Sequence, residues 1–123
     1  MTEPPTPDDT GIELPAPTQC VLWEKPELVG ERDRFDTVEE LIDESHLSRS
    51  VLKCRECGQL YFDEFYEIVD WKEGNDRIYW TFIPLDTPTR IEALKGASVF
   101  DLMRYTPRLL RDFATAKGTR WIR

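Results

Sequence analysis

The sequence Cys54-Arg-Glu-Cys57-Gly58 is the strongest constraint on the fold, because it places a tight turn between two segments that favour β-structure. Residues 51–54 precede the turn and residues 60–71 follow it, and both are rich in β-branched and aromatic side chains. Residues 72–76 have turn chemistry, and residues 77–85 return to a β-type composition. The sequence therefore predicts a central three-stranded antiparallel meander.

Helices are predicted on both sides of this meander. Asp36 is a good N-cap for a helix over residues 37–45, whose apolar side chains Val38, Leu41 and Ile42 fall on one helical face. Thr87 followed by Pro88 predicts the start of another helix, and Lys95-Gly96 predicts its end.

Two more helices and two strands complete the expected elements. One short helix starts near Ser98, and a longer one covers residues 108–117, with Leu109, Leu110 and Phe113 facing inward. Residues 18–23 alternate as a first strand, and residues 119–123 are expected to return as an edge strand.

Length and composition set the domain organisation. A chain of 123 residues has the usual size of one domain. Residues 1–18 are rich in proline and acidic residues and are predicted to form a flexible leader, which leaves residues 19–123 as a single domain. The expected fold is α+β, with a small antiparallel sheet packed against two to four short helices.

Charge is distributed unevenly along the chain. Residues 1–89 contain 21 acidic and 8 basic residues, whereas residues 90–123 contain 3 acidic and 8 basic residues. An acidic surface repels phosphate backbones and attracts basic proteins, so we expect a basic protein partner and no direct nucleic-acid binding. No apolar run is long enough to cross a bilayer and no secretion signal is visible, so a cytoplasmic location is expected.

The two cysteines of the turn have the spacing of a zinc knuckle, which supplies half of a tetrahedral site. Cys20 and His46 are the other soft ligands of the chain, so Cys20, His46, Cys54 and Cys57 form a candidate zinc site. Two alternatives remain open. The thiols can pack in reduced form without metal, or they can act as a redox pair, although a strand rather than a helix follows the motif.

Acidic and aromatic residues alternate along the strand that follows the turn. We expect them to form a partner-binding surface, because aromatic rings supply contact area and carboxylates attract a basic protein. The candidate contact residues are Tyr61, Asp63, Glu64, Glu67, Asp70 and Trp71.

Residues 52–62, with the motif Cys54-Arg-Glu-Cys57-Gly58-Gln59, followed by Glu64, Glu67 and Trp71, resemble small bacterial Cys-x-x-Cys-Gly-Gln proteins, some of which are similar to immunity proteins of polymorphic toxin systems. The resemblance covers about residues 50–85. It implies a cytoplasmic antidote that binds and neutralises a cognate toxin. The acidic charge of the chain suits a basic toxin domain, and we expect a monomer or weak dimer.

Two other functions are weighed against this one. A zinc-ribbon-like accessory protein of transcription or translation is suggested by the knuckle and by Arg104, Arg108 and Arg111. A hydrolase with paired carboxylates, using Glu64 and Glu67, is the enzymatic alternative. The sequence contains no familiar triad order, phosphate-binding glycine loop or His-Glu-x-x-His motif, and we predict that the protein is not an enzyme.

Overall fold

A six-stranded antiparallel sheet forms the centre of an α+β domain in a computed structural model, which describes residues 11–68, 71–74, 77–112 and 118–123. Its strands are β2 (Phe35–Asp43), β3 (Leu47–Cys54), β4 (Leu60–Ile68), β5 (Arg77–Pro84), β7 (Arg108–Asp112) and β8 (Gly118–Ile122). They are ordered β2-β3-β4-β5-β7-β8 across the sheet. Two short strands, β1 (Ile12–Glu13) and β6 (Tyr105–Thr106), pair in parallel beside it.

The predicted meander corresponds to β3, β4 and β5. The register places Val51 of β3 opposite Phe62 of β4, which in turn lies opposite Ile83 of β5. All three strands are confirmed, but they form the middle of a larger sheet, because β2 joins on one side and β7 and β8 join on the other.

The helix predicted over residues 37–45 is wrong, because most of this segment belongs to the edge strand β2. The register between β2 and β3 shifts twice, between Thr37 and Glu39 and between Glu40 and Ile42. Each β-bulge inserts an extra residue and breaks the two-residue alternation. The apolar residues therefore fall at a spacing that resembles a helix, although the backbone is extended.

The helix predicted over residues 108–117 is also wrong where the structure describes it, because Arg108–Asp112 form β7. Residues 113–117, including the predicted inward Phe113, lie outside the described residues. β8 confirms the predicted C-terminal edge strand, since within the described residues it pairs with β7 alone.

Two helices are confirmed between β5 and β6. Helix α1 (Pro88–Lys95) begins after Thr87, and Gly96 caps its C-terminal end. Helix α2 (Val99–Leu102) begins with a capping box, in which the Ser98 hydroxyl accepts a hydrogen bond from the Asp101 backbone N–H and the Asp101 carboxylate accepts one from that of Ser98.

The N-terminal segment differs from both predictions made for it. Residues 1–10 of the expected leader lie outside the described residues, whereas residues 11–18 pack onto the domain, with Leu14 and Pro17 buried. The strand predicted over residues 18–23 is wrong, because Val21–Trp23 form a short 3-10 helix that buries Leu22 completely. Burial of this apolar side chain stabilises the segment against the sheet.

Two core layers cover the two faces of the sheet. The cysteine layer contains Cys20, Leu22, Val29, Phe35, Leu52, Cys54, Tyr61, Phe82 and Leu109. The helix layer contains Leu14, Val51, Phe62, Ile83, Leu85, Leu94, Leu102 and Tyr105. Neighbouring residues of β4 point into different layers, so this central strand is buried on both faces.

Candidate metal centre and acidic surfaces

Three cysteines from separate parts of the chain meet in the cysteine layer. Cys54 ends β3, Cys57 lies in the turn before β4, and Cys20 directly precedes the 3-10 helix Val21–Trp23. Their sulfur atoms all lie within 4.8 Å of one another. All three are free thiols, two of them buried and Cys57 partly exposed. The structure therefore brings together three of the four predicted ligands.

Backbone hydrogen bonds hold the turn in a tight conformation. The Gly58 N–H donates to the Cys54 carbonyl at 2.8 Å, and the Cys54 N–H donates to the Gln59 carbonyl at 2.9 Å. Gly58 has a φ of 82°, a conformation that residues with a side chain rarely adopt. The glycine of the motif therefore sets the path of the chain that positions Cys54 and Cys57.

The environment favours one thiolate and opposes further ionisation. Burial would raise the pKa of Cys54, but N–H groups of the Cys57 and Glu56 backbone and neighbouring thiols bring it below its ordinary value. Burial raises the pKa of Cys57 to about 12, and the adjacent thiols contribute. Several negative charges this close together repel one another, and a bound divalent cation would remove that repulsion. The donor set therefore fits a thiophilic metal ion.

Tyr61 lies against this cluster and not on an open surface. Its side chain is completely buried, and its hydroxyl has no hydrogen-bond partner among the described residues. Burial raises the pKa of Tyr61, and the neighbouring Cys20 thiol adds to the effect. The expected role of Tyr61 in partner contact is wrong, because the cysteine layer covers this face of β4. Its position instead suits a hydroxyl that supports the cysteine sulfurs.

His46 is not part of the cluster. It lies in the turn between β2 and β3, at the opposite end of β3 from Cys54, and eight strand residues span roughly 25 Å. Its Nδ1 atom pairs with the Glu67 carboxylate at 2.7 Å. The predicted four-ligand set is therefore reduced to Cys20, Cys54 and Cys57 in the described part of the chain.

Asp63 is buried beneath the cysteine-layer face, with only 6% of its surface exposed. Its Oδ2 atom accepts a hydrogen bond from the Ser50 hydroxyl at 3.1 Å, and Arg32 approaches to 4.0 Å. A side-chain interaction with Trp80 also favours the charged form of this carboxylate. Burial outweighs these contacts and raises the pKa of Asp63 to about 6. The prediction that Asp63 contacts a partner is wrong in this structure.

Glu64 is buried on the opposite face, with 3% of its surface exposed. Arg49 Nε donates to its carboxylate at 2.8 Å and Nη2 lies 2.7 Å from the same oxygen, while Arg49 Nη1 donates to the Ala97 carbonyl at 2.6 Å. Burial raises the pKa of Glu64 although Arg49 opposes the shift. The Arg49–Glu64 pair therefore links the sheet to the chain before α2. The predicted role of Glu64 in partner contact is wrong.

The remaining predicted contact residues lie near the end of β4. Glu67 is partly exposed beside His46, and Trp71 is 88% exposed. Asp70 lies outside the described residues. Only the end of the expected acidic and aromatic surface is therefore accessible.

Exposed acidic residues are concentrated instead on β2, which forms one edge of the sheet. We call these residues the acidic edge: Asp36, Glu39, Glu40 and Asp43 of β2, with Glu44 directly after it. Asp36 pairs with Arg55 at 2.8 Å, and Glu39 pairs with Lys95 at 3.4 Å. In the portion of the chain that the structure describes, Glu40, Asp43 and Glu44 have no ion pair.

The sequence shows that acidic residues are concentrated in this segment but does not show how they are arranged. The helix predicted over residues 37–45 would place them on a helical surface, whereas the structure places them along an open sheet edge. At the other edge, β7 and β8 contain Arg108, Arg111 and Arg120. The uneven charge of the sequence thus becomes a separation of charge across the sheet.

No family model, curated protein or solved structure matches this chain. Among the described residues, no helix is long and apolar enough to cross a membrane.

Proposed function

We propose that this domain binds a basic protein through the acidic edge. The supporting observation is the exposure of four acidic residues along a strand and a fifth directly after it, where the described structure gives that strand a neighbour on one side only. Glu40, Asp43 and Glu44, which no cation offsets in the described structure, would attract a positively charged surface and raise the rate of association.

The backbone of β2 supplies a second mode of contact. An edge strand exposes N–H and C=O groups that can pair with an extended segment of another protein. The bulges in β2 interrupt regular pairing, which limits non-specific addition of strands and favours a partner whose backbone matches the irregular edge. Charge would select the partner, and backbone hydrogen bonds would fix its position.

The immunity-type function implied by the sequence resemblance is the specific form of this proposal. A basic nuclease toxin carries positive charge where it binds phosphates, and an acidic protein can occupy that surface. Reduced thiols fit a cytoplasmic location, where such an antidote would act. A binding function also agrees with Glu64 and Glu67 lying three residues apart on β4, because strand geometry directs them to opposite faces.

Co-purification with the products of the flanking genes tests the proposal. The wild-type chain should retain a basic partner, and the double variant Glu40→Lys/Asp43→Lys should weaken binding about tenfold or more through like-charge repulsion. The matched control is Glu24→Lys/Glu27→Lys, which changes the net charge equally at two exposed positions outside β2. Rescue of cells from the partner's toxicity, lost in the β2 variant alone, would support the immunity form.

Binding that is equally reduced in both variants would show a response to net charge and refute the acidic edge as the interface. If no flanking gene product binds the wild-type chain, the protein-binding function is abandoned.

A second proposal concerns the three cysteines, which we propose bind zinc. Three sulfur donors within 4.8 Å provide three of the four ligands of a tetrahedral zinc site. Such a site would join the turn after β3 to the segment before Val21–Trp23, and would therefore have a structural role. It is also the feature that favours the zinc-ribbon-like accessory function as the alternative.

Elemental analysis of protein purified without chelators should give one zinc ion per chain, and Cys54→Ser should lose it. Ser48→Ala serves as a control, because it removes a hydroxyl from the same strand away from the cysteines. Zinc-free protein with an unchanged thermal unfolding temperature after zinc addition would refute the site. If the wild-type chain binds zinc but no basic protein co-purifies with it, the accessory function is favoured.

A further inference from the structure

A cavity of about 300 Å³ opens on the helix-layer face of the sheet. Tyr66, Tyr79 and Leu110 line it from the sheet, and Phe100, Leu102 and Met103 line it from α2 and the residue after it. It is separate from the cysteine cluster, which lies on the other face. Its volume falls at the lower end of the range for small-molecule sites, and its lining is mostly apolar, as is usual for such sites.

Exposed apolar side chains are concentrated at this cavity. Phe100 is 78% exposed, Met103 is 57% exposed and Ile68 is 45% exposed, and all three line it. The other large apolar side chains that the described structure exposes are Val38 and Trp71. A cluster of exposed apolar groups around a concave site commonly marks a binding surface.

Arg108 gives the cavity a positive charge. Its Nη1 atom donates to the Met103 carbonyl at 2.8 Å and to the Tyr105 carbonyl at 3.2 Å, which fixes the guanidinium at the wall. No carboxylate within the described ranges forms an ion pair with it. Partial burial lowers the pKa of Arg108.

The other charged group at the cavity does not offset Arg108. Glu64 lines the cavity, but its carboxylate already accepts a hydrogen bond from Arg49 Nε and lies 2.7 Å from Arg49 Nη2. Glu64 and Arg49 therefore balance each other, while Arg108 remains partly desolvated with no counter-ion among the described residues. An anionic group delivered by a ligand would compensate this charge.

We propose that this cavity binds a small amphipathic carboxylate, with its apolar part between α2 and the sheet and its carboxylate paired with Arg108. The apolar rim accounts for affinity, and the guanidinium accounts for selection of an anion over a neutral analogue. This site does not depend on the acidic edge, so a basic protein partner and a small carboxylate could bind the same molecule.

The matched probes octanoate and octanol test the proposal, because they share an alkyl chain and differ in the terminal group. Isothermal titration calorimetry on the full chain should show that octanoate binds at least about tenfold more tightly than octanol. Arg108→Gln should remove this preference. Because Arg108 also contacts two backbone carbonyls, a thermal unfolding scan must show that this variant is folded.

Phe100→Asp provides a second test. The Phe100 side chain is largely exposed, so this substitution should leave the fold intact. It should weaken octanoate binding about tenfold or more, through lost apolar contact and added negative charge. Val38→Asp is the matched control, because Val38 is 56% exposed on the distant strand β2 and should leave binding unchanged.

Three results would overturn the proposal: no binding of octanoate to the wild-type chain, equal affinities for octanoate and octanol, or equal effects of Phe100→Asp and Val38→Asp. If octanoate does not bind but a protein partner binds and requires Phe100, the surface is a protein-docking site and the small-molecule proposal is refuted.

Discussion

Asp63 and Glu64 are adjacent buried carboxylates of β4, and they have different partners because they face opposite layers. Asp63 has Ser50, Trp80 and a distant Arg32 as partners, whereas Glu64 receives a hydrogen bond and a second close ion-pair contact from Arg49. A buried carboxylate without close compensation prefers its neutral form, and one that is paired can remain charged. The same strand therefore contains a poorly compensated acid and a buried ion pair.

Asp63 should make stability depend on pH. Its pKa rises to about 6 on folding from an ordinary value of 3.8, so the folded state binds more protons than the unfolded state between those values. Its contribution to stability is therefore present below about pH 4 and is lost as pH rises through about 6. We expect Asp63→Asn to remove this loss, which is on the order of 2–3 kcal/mol.

Urea unfolding of the wild type and Asp63→Asn across this pH range measures the effect, because contributions from other groups cancel in the difference. Asp43→Asn is the matched control, since Asp43 is exposed. A difference between wild type and Asp63→Asn that is constant with pH would contradict the expected titration.

Removing one partner of the Arg49–Glu64 pair should reduce stability strongly, whereas replacing both partners with apolar residues should reduce it little. Arg49→Met leaves a buried carboxylate without its partner and should destabilise the fold by about 3 kcal/mol or more. The double variant Arg49→Met/Glu64→Leu removes both charges and should recover most of that loss. Urea unfolding of Arg49→Met, Glu64→Leu and the double variant measures the coupling energy between the two side chains.

The exposed pair Arg55–Asp36 is the control, because its 2.8 Å contact is as close but both side chains are more than half exposed. Arg55→Met should cost less than about 1 kcal/mol. Equal costs for Arg49→Met and Arg55→Met would contradict the role of burial.

At the scale of elements, the sequence predicted most where a local signal and the tertiary structure agree. The Cys-x-x-Cys-Gly turn and the flanking aromatic segments predicted β3, β4 and β5. The cap residues Thr87 and Ser98 predicted both helices, because helix caps depend mainly on adjacent residues. Three of the four candidate metal ligands were also correctly placed together.

The errors arose where tertiary structure changes the local pattern. Bulges in β2 gave an edge strand the apolar spacing of a helix. In β7, Leu109 is buried in the cysteine layer and Leu110 lines the cavity on the other face, so adjacent apolar residues resemble a helix segment. Sequence alone also could not show that both faces of β4 are covered, which is why Tyr61, Asp63 and Glu64 were expected to contact a partner.

The segment around β1 should contribute measurably to stability. Leu14 is buried in the helix layer directly after β1, and its backbone N–H donates to the Thr106 carbonyl at 2.7 Å. Leu14→Ala should therefore destabilise the domain by about 2 kcal/mol or more. Glu13→Ala, at an exposed neighbouring position, should change the free energy of unfolding by less than about 0.5 kcal/mol.

Chemical denaturation of both variants provides the measurement. If Leu14→Ala and Glu13→Ala are equally stable, this segment behaves as the leader expected from the sequence and contributes little to the core.

At the scale of the whole molecule, the sheet separates two layers that depend on different contacts. In the cysteine layer, the Trp121 indole N–H donates to the Leu22 carbonyl at 2.7 Å, which ties β8 to the segment after Cys20. In the helix layer, the Ser98 capping box and the Arg49 contact with Ala97 hold α2 to the sheet. A metal bound by the cysteines would act directly on the first layer alone.

Removal of zinc should therefore loosen one layer selectively. We expect chelation to speed amide hydrogen exchange by more than about tenfold at residues 20–30, which lose the crosslink through Cys20, and at β8, which packs against them. Amides of α1 should change little, because α1 packs in the helix layer through Leu94. Cys54→Ser should reproduce the pattern without chelator, and its exchange should not respond to added zinc. Faster exchange of equal size in both layers would show that the metal supports the whole domain, whereas unchanged exchange in the cysteine layer would show that the thiols pack there without metal.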